Sequence, residues 1–277
     1  MTYDGYHALR VAIDVGVATV TIEHGEINLF DLALMGELDR LGRTLEADDA
    51  VRVVVLQSAN PKFFIAHADV TLIQQQPASP PPREQKLGMF HAMCDRFRTM
   101  PKATIVKLEG VCRGGGSELA LACDMRFAAI GRAMLAQPEV ALGIIPGGGG
   151  CVCLPRLVGR ARALEIVLAC TDFDAAAAER YGYVNRALPA HEIGPFVDKL
   201  ARRIASFPAQ AIRLAKQSVL NADRHVDDDL VQEERNFFAT LGDPETKRRM
   251  AAAMARGLQT SAVESGNIDD LLLALAH

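Results

Sequence analysis

Hydrophobic and polar residues alternate along the first part of the chain in a pattern typical of a β-hairpin. The alternation spans residues 9–23, and residues 14–16 (Asp-Val-Gly) interrupt it as a predicted turn. The period then changes, because the next apolar positions lie three or four residues apart on one helical face: Leu34, Leu38, Leu41 and Leu45. The chain is therefore predicted to begin with a hairpin and an amphipathic helix.

Short apolar runs rich in β-branched residues predict three further strands: "VRVVVLQS", "ATIVKLEGV" and "MRFAAI". Strands and helices follow one another in a repeating order, which favours a mixed α/β core with parallel crossovers. The proline-rich residues 77–82 break any regular structure and predict an exposed loop.

After Pro155 the pattern becomes mainly helical. Five segments have helical character: "RALEIVLAC", "DAAAAERYG", "FVDKLARRIASF", "AQAIRLAKQSVLNA" and "PETKRRMAAAMARGL". The chain ends in "NIDDLLLALAH", a short amphipathic stretch that we expect to pack against a neighbouring subunit or domain.

Composition narrows the class of protein. The 277 residues, 49% of them hydrophobic, suit one sizeable globular domain or one domain with a helical appendage. A formal net charge of -4 and the lack of a basic run argue against nucleic-acid and membrane partners. The N-terminus has no secretory signal pattern and no window is long enough to span a bilayer, so we expect a soluble, cytoplasmic protein.

The six cysteines do not form a recognisable metal or disulfide pattern. Cys151 and Cys153 are separated by one residue, and no paired histidine motif accompanies them. We expect reduced, mostly buried thiols and no metal site.

Three glycines precede an apolar helix in residues 114–124, "GGGSELALACD". Successive glycines allow a ligand to approach the backbone closely, and a helix beginning near Gly116 would present unpaired amides at the positive end of its dipole. Such donors suit an oxyanion that forms in a transition state. The alternative is a tight turn in which Glu118 only complements the dipole. A phosphate loop is disfavoured, because no Gly-Lys-Ser/Thr sequence follows.

A second carboxylate, Glu139, lies in the largely apolar stretch "QPEVALGIIPGGGG". Two acids in apolar surroundings can hold different protonation states, as acid-base chemistry on one water requires. The alternative for Glu139 is a solvated acid in a loop or at a helix start. In a third stretch, residues 63–70, a strand leads into a helix and Asp69 is a plausible N-cap.

Taken in order, five stretches resemble the crotonase superfamily, the enoyl-CoA hydratase/isomerase family: "FFIAHADV", "GVCRGGGSELALACD", "AQPEVALGIIPGGGG", "LPRLVGRARALEIVLAC" and "DAAAAERYGYVNR". The resemblance covers nearly the whole chain. It implies an α/β fold, a crotonase-like spiral of ββα repeats in residues 1–200 that carries the CoA and active site. Residues 201–277 would form a C-terminal α-helical trimerisation region.

The resemblance also implies how a substrate is held. The partner is an acyl-CoA, with no metal and no separate cofactor, because coenzyme A is part of the substrate. The thioester oxygen would accept hydrogen bonds from the backbone amides of Ala68 and Gly115, and Ala66, Asp69 and Gly114 would make further substrate contacts. A homotrimer or a dimer of trimers is expected.

The chemistry implied by the resemblance is hydration of the 2,3-double bond of a 2-enoyl-CoA. Glu118 would activate water for attack at C3, Glu139 would protonate C2, and the Gly147 amide would help position the water. The presence of both glutamates favours a hydratase. The alternatives are enoyl-CoA isomerisation, a hydratase-lyase reaction, or a non-catalytic CoA-binding homologue.

The chain departs from the family pattern beside the two oxyanion residues. His67 stands where a glycine is usual, and Arg113 stands where the family usually has an apolar residue. We interpret both side chains as pointing away from the site; the alternative is that one of them contacts a CoA phosphate or a polar acyl group. Thr71 replaces a common lysine, and residues 151–153 replace Thr-Gln-Arg.

Overall fold

The computed structural model describes residues 2–79, 87–223 and 225–276. The strands are β1 (Leu9–Asp14), β2 (Val17–Ile22), β3 (Val53–Ser58), β4 (Phe63–Ile65), β5 (Ala103–Leu108), β6 (Val111–Arg113), β7 (Met125–Ala129), β8 (Met134–Ala136), β9 (Phe173–Asp174) and β10 (Arg186–Leu188). The α-helices are α1 (Leu32–Ala47), α2 (Val70–Gln74), α3 (Met89–Thr99), α4 (Gly115–Ala122), α5 (Gly150–Val158), α6 (Arg160–Ala169), α7 (Ala175–Tyr181), α8 (Ile193–Ala205), α9 (Ala209–Leu220), α10 (Val226–Thr240), α11 (Pro244–Ala255), α12 (Ser261–Glu264) and α13 (Asp269–Leu273). Short 3₁₀ helices span Glu139–Leu142 and Ala274–Ala276.

Six strands form a mainly parallel sheet in the order β1-β2-β3-β5-β7-β10. β1 and β2 pair antiparallel, from Leu9 opposite Ile22 to Asp14 opposite Val17, which confirms the predicted hairpin. The next pairs across this sheet are parallel. β3 and β5 consist largely of buried apolar residues, as expected of central parallel strands covered on both faces. The predicted mixed α/β core is confirmed.

A second sheet, in the order β4-β6-β8-β9, brings together the three stretches singled out in the sequence. β4, β6 and β8 are parallel neighbours, with Phe63 opposite Val111 and Arg113 opposite Ala136. The carboxyl ends of parallel neighbours lie at one edge of a sheet, where α/β folds commonly bind their ligands. The loop after β4, the glycines after β6 and the 3₁₀ helix after β8 therefore converge at this edge.

The predicted leucine face of α1 packs into the main core. Leu34, Leu38, Leu41 and Leu45 are fully buried. Asp31 caps the helix, because its side chain accepts a hydrogen bond from the amide of Leu34. Each buried leucine stabilises the fold by about 1.5–3 kcal/mol relative to an exposed one. The spacing of the leucines thus determines which face of α1 is buried.

The helices predicted after Pro155 are confirmed as α6, α7, α8, α9 and α11. The sequence pattern missed α10, whose first turn is acidic and whose apolar residues are sparse. Within the predicted proline-rich loop, residues 77–79 lie outside helices and strands, and residues 80–82 lie outside the described residues.

The final amphipathic stretch packs against an apolar cluster of its own chain. Ile268, Leu272 and Leu275 are buried in the same cluster as Leu142 and Ile144. Of the two expected partners, a neighbouring subunit or a neighbouring domain, the structure therefore shows a contact with the first 200 residues of the same chain.

All six cysteines are free, and four of them are buried while Cys151 and Cys153 are half-buried. The prediction that the thiols are mostly buried is confirmed. Across the part of the chain that the structure describes, none of the helices combines the length and apolar character needed to cross a membrane.

Candidate active site

A cavity of about 260 Å³ lies beside the edge where β4, β6 and β8 end. Its lining contains six residues that the sequence analysis selected: Ala68, Asp69, Gly115, Glu118, Glu139 and Gly147. The remaining walls are largely apolar and come from α1, α2, α3 and α10, with Leu32, Leu72, Phe90 and Phe237 among them. The cavity thus combines four carboxyl groups, those of Asp69, Glu118, Glu139 and Glu234, with largely apolar walls.

The two predicted oxyanion residues lie side by side. Gly114 has a φ of +48°, which a residue with a side chain rarely adopts, and it turns the chain from β6 into α4. Gly115 opens α4 against the loop after β4, so that a methyl group on Gly115 would lie 3.5 Å from the amide nitrogen of Ala68. Ala68 and Gly115 are therefore neighbours, and both line the cavity.

Glu118 is buried and hydrogen-bonded rather than solvated. Its side chain lies in the first turn of α4, and the residue is 3% exposed. Glu118 Oε1 accepts hydrogen bonds from the amides of Gly148 at 2.6 Å and Gly150 at 3.0 Å. Burial, and next the negative charge of Glu233, raise the pKa of Glu118 to about 7. Glu118 is therefore an acid of the first helical turn, as the alternative interpretation had it, but a buried one whose carboxylate is held by the turn before α5.

Glu139 is the second buried acid. It begins the 3₁₀ helix after β8 and is 8% exposed. Its Oε2 atom has no hydrogen-bond partner among the described residues. Burial, and next the charge of Glu118, raise the pKa of Glu139 well above its usual range. Both shifts favour the protonated acid, and each has burial as its main cause.

The glycine turn before α5 is held by two carboxylates. Five consecutive amides donate to these two side chains, two of them to Glu118 and three to Glu233, a residue of α10. Gly148 and Gly150 donate to Glu118, whereas Gly149, Cys151 and Val152 donate to Glu233 at 2.6–3.1 Å. These contacts satisfy amides at the start of α5 and place a negative charge at its N-terminus. The turn that carries Gly147 is thereby fixed from both sides.

The sequence analysis missed three ionisable residues around this turn. His91 of α3 lies between Glu233 and Glu234 of α10, with nitrogen–oxygen distances of 3.3 and 3.4 Å. Burial alone would lower the pKa of His91, but the two glutamates outweigh it and raise the pKa to about 9. Glu234 also accepts the amide of Gly88 at 2.8 Å. Two adjacent glutamates in a polar helix resemble a solvated face, so the sequence offered no usable signal.

The other predicted contacts occupy different places. Asp69 caps α2 by accepting the amide of Thr71, as the sequence suggested, and it also reaches the cavity wall. Gly114 lies against Glu139, since a methyl group on Gly114 would lie 2.7 Å from Glu139 Oε1. Ala66 is fully buried, its amide donates to the carbonyl of Ile27, and it is not among the residues that line the cavity.

The two basic residues beside the oxyanion positions point away from the cavity, as interpreted from the sequence. His67 binds Glu264, and Arg113 binds Asp172 and Glu264. Within residues 2–79, 87–223 and 225–276, no group of three or more His, Cys, Asp or Glu side chains is arranged to hold a metal ion.

Comparison with known proteins agrees with this geometry. Residues 12–257 match the family model described as enoyl-CoA hydratase/isomerase. The chain belongs to the enoyl-CoA hydratase/isomerase family, within the crotonase superfamily. The resemblance identified in the sequence is therefore confirmed over most of the chain.

Relatives of this enoyl-CoA hydratase/isomerase family member include proteins of known structure. The chain is 39% identical to a "putative enoyl-CoA hydratase" from Streptomyces avermitilis, with a TM-score of 0.88 over 98% of this chain and 99% of that one. It is 32% identical over 205 residues, 73% of this chain and 77% of the relative, to the short-chain-enoyl-CoA hydratase of Clostridium acetobutylicum. It is 38% identical over 170 residues, 61% of this chain and 64% of the relative, to the crotonyl-CoA hydratase of Syntrophomonas wolfei. The predicted crotonase-like α/β fold is confirmed by the structural match.

Proposed function

We propose that this protein is an enoyl-CoA hydratase, which adds water across the 2,3-double bond of a 2-enoyl-CoA thioester. The observation that carries the proposal is the pair of buried carboxyl groups, Glu118 and Glu139, beside the adjacent backbones of Ala68 and Gly115. Hydration needs a base for water, an acid for carbon and donors for a developing oxyanion, and this arrangement offers all three. Coenzyme A enters as part of the substrate, and the proposal requires no metal or separate cofactor.

The thioester carbonyl is held by the amides of Ala68 and Gly115. When water attacks C3, the electrons of the double bond move toward C2 and the thioester oxygen, which becomes enolate-like. Donors that are fixed in advance stabilise this charge more strongly than the charge of the ground state, so they raise kcat rather than only lowering KM. The start of α4 adds a positive dipole end at the same place.

Glu118 accepts the proton of the attacking water. Its Oε1 atom is already held by the amides of Gly148 and Gly150, so Oε2 is the oxygen left for water. A pKa of about 7 gives a base that is substantially ionised at neutral pH yet strong enough to take a proton. Gly147 precedes this turn and lines the cavity, where its amide would help position the water.

Glu139 supplies the proton that C2 requires. Burial and the charge of Glu118 raise its pKa well above the usual range, which favours the protonated form, and its partnerless Oε2 atom is buried beside the site. Three bonds form: C3–O, C2–H and O–H on Glu118. Three break: one O–H bond of water, the covalent O–H bond of Glu139 and the π bond between C2 and C3. Glu118 then carries the extra proton and Glu139 has lost one, and exchange with solvent restores both. Dehydration reverses the two roles.

The direct test is to mix the pure protein with crotonyl-CoA and follow the loss of the conjugated enoyl absorbance. Glu118→Gln and Glu139→Gln should each lower kcat by about 10²–10⁴-fold, because each removes one proton-transfer group. Glu165→Gln, which changes an exposed glutamate of α6, is the matched control and should keep native turnover. Intact CoA binding without any turnover of the native protein would refute the hydratase proposal.

Isomerisation of a 3-enoyl-CoA is the alternative within the family. It moves one proton between C4 and C2 and can proceed with a single carboxylate, whereas hydration uses two. A 3-enoyl-CoA substrate assayed with the same variants separates the two reactions. Turnover of the 3-enoyl thioester that survives one of the two glutamine substitutions, without hydration of crotonyl-CoA, would favour the isomerase.

The proposed assembly is a homotrimer or a dimer of trimers built through the C-terminal helices. α9 has no buried residue, and an apolar groove of about 770 Å³ lies beneath it. Large apolar side chains are exposed nearby and on α6: Leu164, Leu168, Phe207, Leu214 and Val219. Surface of this kind commonly contacts another copy of the chain. Light scattering coupled to size exclusion should give three or six times the chain mass, and a monomer would contradict the proposal.

A further inference from the structure

Residues 258–266, which follow α11 and include α12, lie behind both oxyanion residues. This segment, the C-terminal strap, reaches the residues on either side of Ala68 and the residue two positions before Gly115. The side chain of Glu264, which belongs to this segment, is fully buried. None of these strap contacts was visible in the sequence pattern.

The strap holds Ala68 from both flanks. On one flank, His67 Nε2 lies 2.8 Å from Glu264 Oε1 and His67 Nδ1 lies 2.8 Å from the carbonyl oxygen of Ala68. On the other, Gln259 donates to Asp69 Oδ1 at 2.9 Å. Gln259 adopts a φ of +71°, an uncommon value for a residue with a side chain, which the surrounding contacts maintain.

The contacts of His67 define its charge. A carbonyl oxygen only accepts, and an ionised carboxylate only accepts, so both ring nitrogens of His67 donate and the ring is an imidazolium. Burial alone would lower the pKa of His67, but the hydrogen bond and charge of Glu264 outweigh it and raise the pKa. Burial alone would raise the pKa of Glu264, and His67 in turn lowers it. The two residues form a buried, charge-assisted pair.

The strap also binds Arg113, which lies two positions before Gly115, the second oxyanion residue. Arg113 is fully buried, and its Nη1 donates to the Glu264 carbonyl at 2.9 Å and lies 3.5 Å from Glu264 Oε2. Its Nη2 donates to the carbonyl of Gly266 at 2.9 Å. The remaining side of the guanidinium binds Asp172 through two contacts of 2.7 and 2.5 Å. The two cations and two carboxylates balance, as buried charges must.

We propose that Glu264 is a positioning residue of the oxyanion hole, which sets the separation and direction of the Ala68 and Gly115 amides by binding His67 and Arg113 at once. The inference rests on the proposed function, because it assigns a role to amides that hold a thioester oxygen. In this role Glu264 does not touch the substrate and acts through His67 and Arg113. His67 and Arg113, the two departures from the family pattern, then both help to fix the oxyanion amides.

Substitution of Glu264 should weaken the binding of the transition state more than the binding of the substrate. A displacement of a fraction of an ångström between the two donors weakens their bonds to the enolate oxygen more than their bonds to the neutral carbonyl. Glu264→Gln preserves the shape of the side chain and removes the charge that binds both cations. We expect kcat for crotonyl-CoA hydration to fall by roughly 10- to 100-fold, with KM changed by less than about threefold.

A spectroscopic measurement separates positioning from a loss of stability. Hydrogen bonds polarise a carbonyl and lower its stretching frequency, so butyryl-CoA labelled with ¹³C at the thioester carbonyl reports directly on the two amides. Infrared difference spectra should show a lowered frequency when the thioester binds the native protein. Bound to Glu264→Gln, its frequency should move back toward the solution value. His67→Gly, which breaks the link between Glu264 and Ala68 with one substitution, should shift the frequency in the same direction and serves as the second variant.

Leu45→Ala is the stability control, because Leu45 is fully buried in α1 and belongs neither to the strap nor to the lining of the cavity. It should lower the melting temperature while kcat and the carbonyl frequency stay close to native. The proposal is overturned if Glu264→Gln and His67→Gly both keep the native frequency, or if Leu45→Ala changes kcat and frequency as much as they do. A native protein that binds butyryl-CoA without lowering the frequency would instead refute the oxyanion hole of the proposed function.

Discussion

A change of pH from 6 to 8 tests the protonation state assigned to Glu118. Burial and the charge of Glu233 raise the pKa of this carboxyl to about 7. By that pKa, about one tenth of Glu118 is ionised at pH 6 and about nine tenths at pH 8. Hydration requires the ionised base, so kcat/KM should rise about tenfold over this interval, with its midpoint near pH 7.

The assay is the loss of conjugated enoyl absorbance from crotonyl-CoA. Because the phosphate groups of coenzyme A also titrate near pH 6, crotonyl-pantetheine, which carries no phosphate, is the control substrate. The Glu165→Gln protein should give the same profile as native. A profile that is flat between pH 6 and 8, or a midpoint near the ordinary value of 4.5, would refute the argument from burial and charge.

The same pKa shift predicts a change in folding stability. Below pH 4.5 Glu118 is protonated in both the folded and the unfolded chain, and between 4.5 and about 7 the folded chain holds the proton more tightly. The free energy of unfolding therefore falls as pH rises through this window, by about 3 kcal/mol in total. Urea unfolding should show this loss in the native protein relative to Glu118→Gln, and parallel pH curves would contradict it.

Four further substitutions test other parts of the site and core. Glu233→Gln removes a negative charge that raises the pKa of Glu118, so the acid limb of kcat/KM should move to lower pH; an unchanged limb would contradict this. Phe90→Ala enlarges the cavity. The ratio of kcat/KM for an eight-carbon enoyl thioester to kcat/KM for a four-carbon one should rise by about tenfold, and an unchanged ratio would show that Phe90 does not limit the length of the acyl chain. Gly148→Ala would place a methyl group 2.1 Å from Phe90 Cε1 and 2.8 Å from Glu118 Oε2. We therefore expect kcat to fall by about 100-fold. Native turnover would show that the turn can move to accept the methyl group. Leu38→Ala in the core of α1 should lower the free energy of unfolding by about 2–5 kcal/mol in urea titration, and a loss below about 1 kcal/mol would contradict full burial.

Local sequence signals were sufficient for the parts of the site that follow strands. The loop after β4, the glycines after β6 and the acid after β8 each had a recognisable pattern, and parallel pairing brought them to one edge. The leucine spacing of α1 likewise determined its buried face. In these cases the chemistry and the backbone geometry are encoded within a few residues.

The carboxylates that support the site could not be predicted in this way. Glu233 lies in a helix with an acidic first turn, and Glu264 lies in a four-residue helix, so each looks like a solvated acid in the sequence. Their burial depends on partners far along the chain, His91 and Gly149 for Glu233, and His67 and Arg113 for Glu264. Only tertiary packing distinguishes a buried, paired acid from an exposed one.

The distance along the chain between Glu264 and its partners has a consequence for biosynthesis. Glu264 binds residues that precede it by 197 and 151 positions. The ribosome synthesises the segments that contain His67 and Arg113, and those that contain Glu118 and Glu139, long before Glu264 emerges. Contacts of such long range form late, because the loops they close must first be ordered. If Glu264 positions the oxyanion amides as proposed, a nascent chain that stops before this residue would already hold Glu118 and Glu139 but would lack fixed donors for the enolate.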